Sequence, residues 1–240
     1  MIMHIKLKDK CRGRSRASLT LPIIFFAIAI CVLPFPLRAE DPDTTLARFR
    51  EQSFNFEYAS KTFDIDPLKL KAIIYVERKN NYDWRDEYFD DYLAKKGKNS
   101  SVGFCQVKMK TAYWIECQLA DSASEFYPGP YYAKASKGKY ESILPISQSP
   151  QEIIDKLKDD GTNLLYAAAY MRIIQSYWER KGYPIDNRVD IIATIFSYGI
   201  FSRETGEPLK PNADPKPNRF GEEALGIYNG FALHYPINHK

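Results

Sequence analysis

The stretch that decides the reading of this chain is Asp66-Pro67-Leu68-Lys69-Leu70-Lys71-Ala72-Ile73-Ile74-Tyr75-Val76-Glu77, followed directly by Arg78. It has the marks of a helix with a defined start. Asp66 can cap exposed backbone N–H groups, and Pro67 takes the first helical position, where its missing N–H costs nothing. Leu70, Ile73, Ile74 and Glu77 then recur at i, i+3, i+4 and i+7, on one face. The apolar stripe that must face the core therefore ends in a carboxylate. Desolvation disfavours the charged form of such a group and keeps a proton on it near neutral pH, which is what a general acid requires. The competing reading turns Glu77 to solvent at the helix end and pairs it with Arg78 or Lys79.

Working outward, the first 39 residues are a different kind of sequence. Lys6, Lys8, Lys10, Arg12, Arg14 and Arg16 form a basic head, and Ile23 to Leu33 is an unbroken apolar run of 11 residues. Pro34, Pro36 and a Leu37-Arg38-Ala39 ending follow. That order is the order of a secretory signal peptide cleaved after Ala39. The apolar run is short for a bilayer span, which takes about 20 residues. An uncleaved N-terminal anchor is the alternative. A lipid-modified Cys31 is disfavoured by the bulky Ile30 before it. The expected organisation is a signal peptide over 1–39 and one domain over 40–240, exported to the periplasm or cell envelope.

Charge is distributed to match. Residues 1–39 hold seven Lys/Arg and one Asp, a balance of +6, while the whole chain carries +4, which leaves about −2 for residues 40–240. The basic balance thus belongs to the leader, and nothing points to a nucleic-acid partner. Beyond Ala39 only Cys105 and Cys117 remain, either as one disulfide in an oxidising compartment or as two buried thiols. The histidines are His4, His234 and His239. Their positions argue against a zinc site or His-based catalysis, and no metal or other cofactor is expected.

The remaining segments read as mostly helical. Leu46, Phe49, Phe56, Ala59 and Phe63 recur at helical spacing, which predicts one amphipathic helix over about 44–62. Residues 80–101 interleave acids (Asp83, Asp86, Asp90 and Asp91 among them) with Tyr82, Trp84, Tyr88, Phe89 and Tyr92. They read as a loop or irregular hairpin of the kind that suits a carbohydrate cleft or an ordinary solvated surface. Ser101-Val102-Gly103-Phe104-Cys105-Gln106-Val107 reads as a compact turn leading into a helix near 109–118. Residues 119–148 read as irregular. Ser149 to Glu152 is a capping box opening a helix to about Lys158, with Gly161 as its stop. Asn163 to Arg180 is predicted as the central helix, because Ala167, Ala168 and Ala169 permit close approach of neighbours. Val189 to Phe196 and Gly221 to Phe231 are predicted as two more helices, separated by a proline-rich loop over 203–219.

Four separated pieces now line up in order. They are Glu77 at the end of its helix; Ser101-x-Gly103-x-x-Gln106; Asn163 to Met171, with Ala167 and Tyr170 inside it; and Ala193-Thr194-Ile195-Phe196-Ser197-Tyr198-Gly199. In this order they resemble the soluble lytic transglycosylase family, over roughly residues 50–232. The resemblance implies a mostly α, lysozyme-like domain with a small irregular or β-hairpin lobe beside a cleft. It also implies a peptidoglycan-cleaving enzyme with Glu77 as its acid. Ser101, Gln106, Phe196, Ser197 and Tyr198 would bind the glycan. Phe196 and Ser197 would stand where the family has Tyr and Asn, Arg78 where it has Ser, Cys105 where it usually has Met, and Ala167 where it has Gly. The implied partners are peptidoglycan strands and a cell-envelope assembly, with the protein itself a monomer. A non-catalytic peptidoglycan-binding or assembly protein of the same fold is the alternative, as is a hydrolytic lysozyme using Asp83, Asp86, Asp90 or Asp91 as a second carboxylate.

Overall fold

A computed structural model describes residues 40–81, 101–129 and 142–234. The leader, the acidic and aromatic run over residues 82–100, and residues 130–141 lie outside the described residues, and with them the expectations placed there. The described residues form eight helices and one two-stranded antiparallel sheet. They are α1 (Pro42–Glu51), α2 (Ser53–Phe63), α3 (Pro67–Asn81), β1 (Ser101–Val102), β2 (Val107–Lys108), α4 (Met109–Ala120), α5 (Pro150–Lys158), α6 (Asp160–Arg180), α7 (Val189–Tyr198) and α8 (Arg219–His234). The protein is mostly α, as its periodicities predict. Among the described residues, no helix is long and apolar enough to cross a membrane.

Helix α6 is the centre of the packing. Every residue from Asn163 to Trp178 is buried. Ala167, Ala168 and Ala169 have no exposed surface, and these small side chains let neighbouring backbones approach closely. Helix α2 packs on α6, while α8 packs against both α3 and α7. Gly221 makes the last of these contacts possible, since a Cβ there would lie 2.1 Å from the Asp190 carbonyl oxygen.

Two helix boundaries differ from the sequence expectation. The single helix expected over 44–62 is two helices, broken at Gln52. The Gln52 side chain donates to Asp160 at 2.9 Å and accepts from Asn55 at 2.6 Å. That tertiary bond holds Gln52 out of helical geometry, while Phe49 and Phe56 on either side still reach the core. Gly161 does not stop α5 but lies inside α6. The break falls at Asp159, whose carboxylate accepts from the Thr162 N–H at 2.8 Å and so starts a new helix.

Candidate active site

Helix α3 begins as its sequence dictates. The Asp66 carboxylate accepts from the Leu68 N–H at 2.8 Å, a side-chain cap on the first turn. Leu70, Ile73 and Ile74 are fully buried, and Glu77 at the end of their stripe is 9% exposed. The alternative in which Glu77 turns to solvent does not hold. Of its neighbours, the Lys79 ammonium pairs with Glu223, and Arg78 is fully buried. The Arg78 guanidinium donates to both Glu40 oxygens at 2.6 Å and to the Phe104 carbonyl at 2.8 Å. It also lies 4.6 Å from the Phe104 ring centre. Burial pushes the Glu40 carboxyl up, but the hydrogen bond and charge of Arg78, helped by Thr45 and Arg48, outweigh it and hold Glu40 below its ordinary value.

The Arg78–Phe104 bond ties α3 to the hairpin turn. Strands β1 and β2 pair Ser101 with Lys108 and Val102 with Val107, and residues 103–106 close the turn. Gly103 takes φ +74°, and a Cβ there would come within 2.0 Å of the Leu157 carbonyl oxygen and 2.6 Å of the Asn163 amide nitrogen. A side chain has no room at that position. Asn163 occupies the space: its amide donates to the Val102 and Leu157 carbonyls at 2.9 and 2.6 Å, and its oxygen accepts from the Cys105 N–H at 2.8 Å. The Asn163 of the third motif is thus a staple between α6 and the turn. Gln106 is one of two non-glycine residues with positive φ among the described residues, at 55°, and its side chain donates back to the Gly103 carbonyl at 3.0 Å. Such a conformation carries local strain and recurs at functional sites.

These elements surround a cleft of about 450 Å³. Glu77, Ser101, Gln106, Phe196, Ser197 and Tyr198, the six residues singled out from the sequence, all line it. Phe196 and Ser197 are half-buried on the last turn of α7, and Tyr198 is 40% exposed. The Ser197 hydroxyl donates to the Thr194 carbonyl at 3.1 Å and accepts from the Asn218 amide at 3.3 Å. Among the described residues that line the cleft, Glu77 is the one carboxylate.

No matching family model is found for the chain, and no curated protein matches it.

Sequence reasoning missed four cleft residues with polar side chains, namely Lys108, Thr111, Tyr170 and Arg203. Tyr170 belongs to the third motif, but nothing in helical periodicity distinguishes it from core. Its ring lies 5.6 Å from that of Phe196, and its hydroxyl accepts from the Ile200 N–H at 3.0 Å. Burial pushes that hydroxyl well above the usual tyrosine range, and the Ile200 N–H only partly offsets this, so it stays protonated. Arg203 sits in a loop with no recognisable motif.

Cys105 and Cys117 are both free thiols, the first buried and the second half-buried. Burial pushes the Cys105 thiol well above its ordinary value, so it is no thiolate nucleophile. Among the described residues, no group of three or more His, Cys, Asp or Glu side chains is placed to hold a metal ion.

Proposed function

We propose that this protein is an exported lytic transglycosylase of lysozyme-like fold that cleaves the β-1,4 bond between N-acetylmuramic acid and N-acetylglucosamine in peptidoglycan. The observation that carries this reading is Glu77: a carboxyl group 9% exposed, at the end of an apolar helix, lining a cleft with Ser101, Gln106, Phe196, Ser197 and Tyr198. A buried carboxyl on an open cleft suits an acid that must keep its proton until substrate arrives.

In the proposed reaction Glu77 donates its proton to the glycosidic oxygen, and the bond from that oxygen to the muramic C1 breaks. The Glu77 carboxylate then takes the proton of the muramic 6-hydroxyl as its oxygen bonds to C1. A 1,6-anhydro ring closes, the acid is regenerated and no water is consumed. One carboxyl serves as acid and then base. A hydrolytic lysozyme would instead use a second carboxylate and a water molecule; the candidates for that carboxylate, Asp83, Asp86, Asp90 and Asp91, lie outside the described residues. Arg78, which stands where the family has Ser, donates to Glu40 and to the Phe104 carbonyl and is not among the residues that line the cleft.

The deciding experiment is digestion of purified peptidoglycan followed by mass analysis of the fragments. Anhydro-muramic ends are expected. Reducing ends would make the enzyme a hydrolase, and intact glycan bound without cleavage would make it a binding or assembly protein.

A further inference from the structure

The cleft holds charge that cleavage alone does not use. Its lining includes two cations, Lys108 and Arg203, besides the one carboxylate of Glu77. Both cations are exposed, and among the described residues neither forms an ion pair. Elsewhere in this molecule, lysines and arginines near carboxylates find them, as Lys156 does with Glu116 and Glu152 and Arg188 with Asp190.

Each cation stands on a built element. Lys108 ends strand β2, opposite Ser101 in the ladder, at the start of α4. Arg203 sits in a tight loop whose base is an antiparallel bridge between Phe201 and Pro208. Ser202 donates its N–H to the Glu207 carbonyl at 2.8 Å, and Leu209 to the Ile200 carbonyl at 2.9 Å. The Phe201 ring anchors that base against Trp114 at 5.6 Å and Phe126 at 5.5 Å. The Arg203 guanidinium lies 4.7 Å from the centre of the Tyr198 ring. A guanidinium resting on a ring face is oriented by the contact, while its in-plane N–H fork stays available for two parallel bonds to a carboxylate.

We infer that Lys108 and Arg203 form a carboxylate-binding subsite, so that the glycan this cleft takes is an anionic one. The inference rests on the glycan-cleaving reading of the same cleft and assigns two side chains to the carboxylates that such strands carry. Two sources share that chemistry: the lactyl carboxylate of a muramic residue without its peptide, and the carboxylates of an attached stem peptide. Arg203 supplies the bidentate, orienting contact, and Lys108 a compact second charge.

The test measures binding by calorimetry to the Glu77→Gln protein, so that no probe is consumed. Three glycans of matched length serve as probes: a neutral N-acetylglucosamine oligomer, peptidoglycan strands stripped of peptide, and strands with intact stems. At low salt a carboxylate-bearing strand should bind about tenfold more tightly than the neutral oligomer, the scale of one or two charge-assisted hydrogen bonds. Adding Lys108→Met and Arg203→Met together should reduce that preference to within about twofold, and raised salt should shrink it. Arg203→Lys should restore only part of it, because the planar fork is lost. A gain for stripped strands alone assigns the lactyl carboxylate, which is tied up as an amide when a stem is attached; a gain for intact strands alone assigns the stem carboxylates; equal gains mean that the subsite accepts either. Equal binding of neutral and anionic glycans, or a preference that survives the double substitution, overturns the subsite. If the unsubstituted protein still releases anhydro products in that case, the proposed function stands without it. If no glycan is bound and no product appears, both fall.

Discussion

Glu77 and Glu116 are both withdrawn from water, and they differ in what they face: Glu77 lines a cleft, whereas Glu116, on α4, has no exposed surface. Its two oxygens accept from the Ser147 N–H and hydroxyl at 2.8 Å, from the Lys156 ammonium at 3.1 Å and from the Tyr166 hydroxyl. Burial and the bond to Glu116 push the Tyr166 phenol far above its ordinary range. This carboxylate is walled in by donors from α5, α6 and the segment before α5, and no substrate could reach it. Glu77 keeps a face on the cleft, while the donors of the adjacent Arg78 go to Glu40 and Phe104. A buried glutamate saturated from all sides is a structural joint. One left beside open space can exchange a proton with something that enters.

The comparison breaks most sharply at Glu77 itself. Glu77→Gln is nearly isosteric, so the melting temperature should hardly change, while release of anhydro products should fall by at least about 10²–10⁴-fold. Both proton transfers pass through this side chain. Wild-type activity in the variant would remove Glu77 from the reaction.

Glu116→Ala should do the reverse. It strands Tyr166, Ser147 and a largely buried Lys156, and removing one side of such a network costs roughly 3–5 kcal/mol. A fall in the urea midpoint of unfolding would report it, with turnover of the remaining folded protein preserved. An undisturbed midpoint would show that the four donors find other partners.

Glu40 extends the comparison to the joint behind the cleft. Glu40→Gln should cost about 2–3 kcal/mol at neutral pH, since charged hydrogen bonds to a buried guanidinium are lost. The folded-state pKa of Glu40 lies below its ordinary 4.5. Its contribution is therefore present above pH 4.5 and is lost as pH falls through the lower folded value. Stability measured against pH should fall less steeply below pH 4.5 in the variant than in the wild type. Parallel acid limbs would show that the Glu40–Arg78 pair does not titrate with folding.

The smallest effect belongs to Tyr166→Phe, which removes one of the four donors from Glu116 and leaves the ring packing intact. About 1–1.5 kcal/mol of stability should go, with no change in the products released from peptidoglycan. A loss as large as that of Glu116→Ala would mean that the phenol, rather than the lysine, holds the network together.

Local signals settled a good deal before any tertiary contact. The Asp66 cap, the Pro67 start and the stripe ending in Glu77 are all written in twelve consecutive residues, because a helix start and a 3.6-residue period depend only on near neighbours. The small-residue face of α6 was legible for the same reason, and the resemblance carried by the four motifs brought five more cleft residues forward beside Glu77. The break at Gln52 and the inclusion of Gly161 in α6 were not legible, since a bond from Gln52 to Asp160 joins residues far apart in the chain. Nor was the fate of Arg78, which beside Glu77 looks like a surface ion-pair partner. Only folding brings Glu40 and Phe104 to it. Glu116, Lys108 and Arg203 have ordinary sequence surroundings, and their differences come from what the packed chain sets beside them. Periodicity tells which face a side chain occupies; whether that face meets a wall of donors or an open cleft is decided by segments distant in sequence.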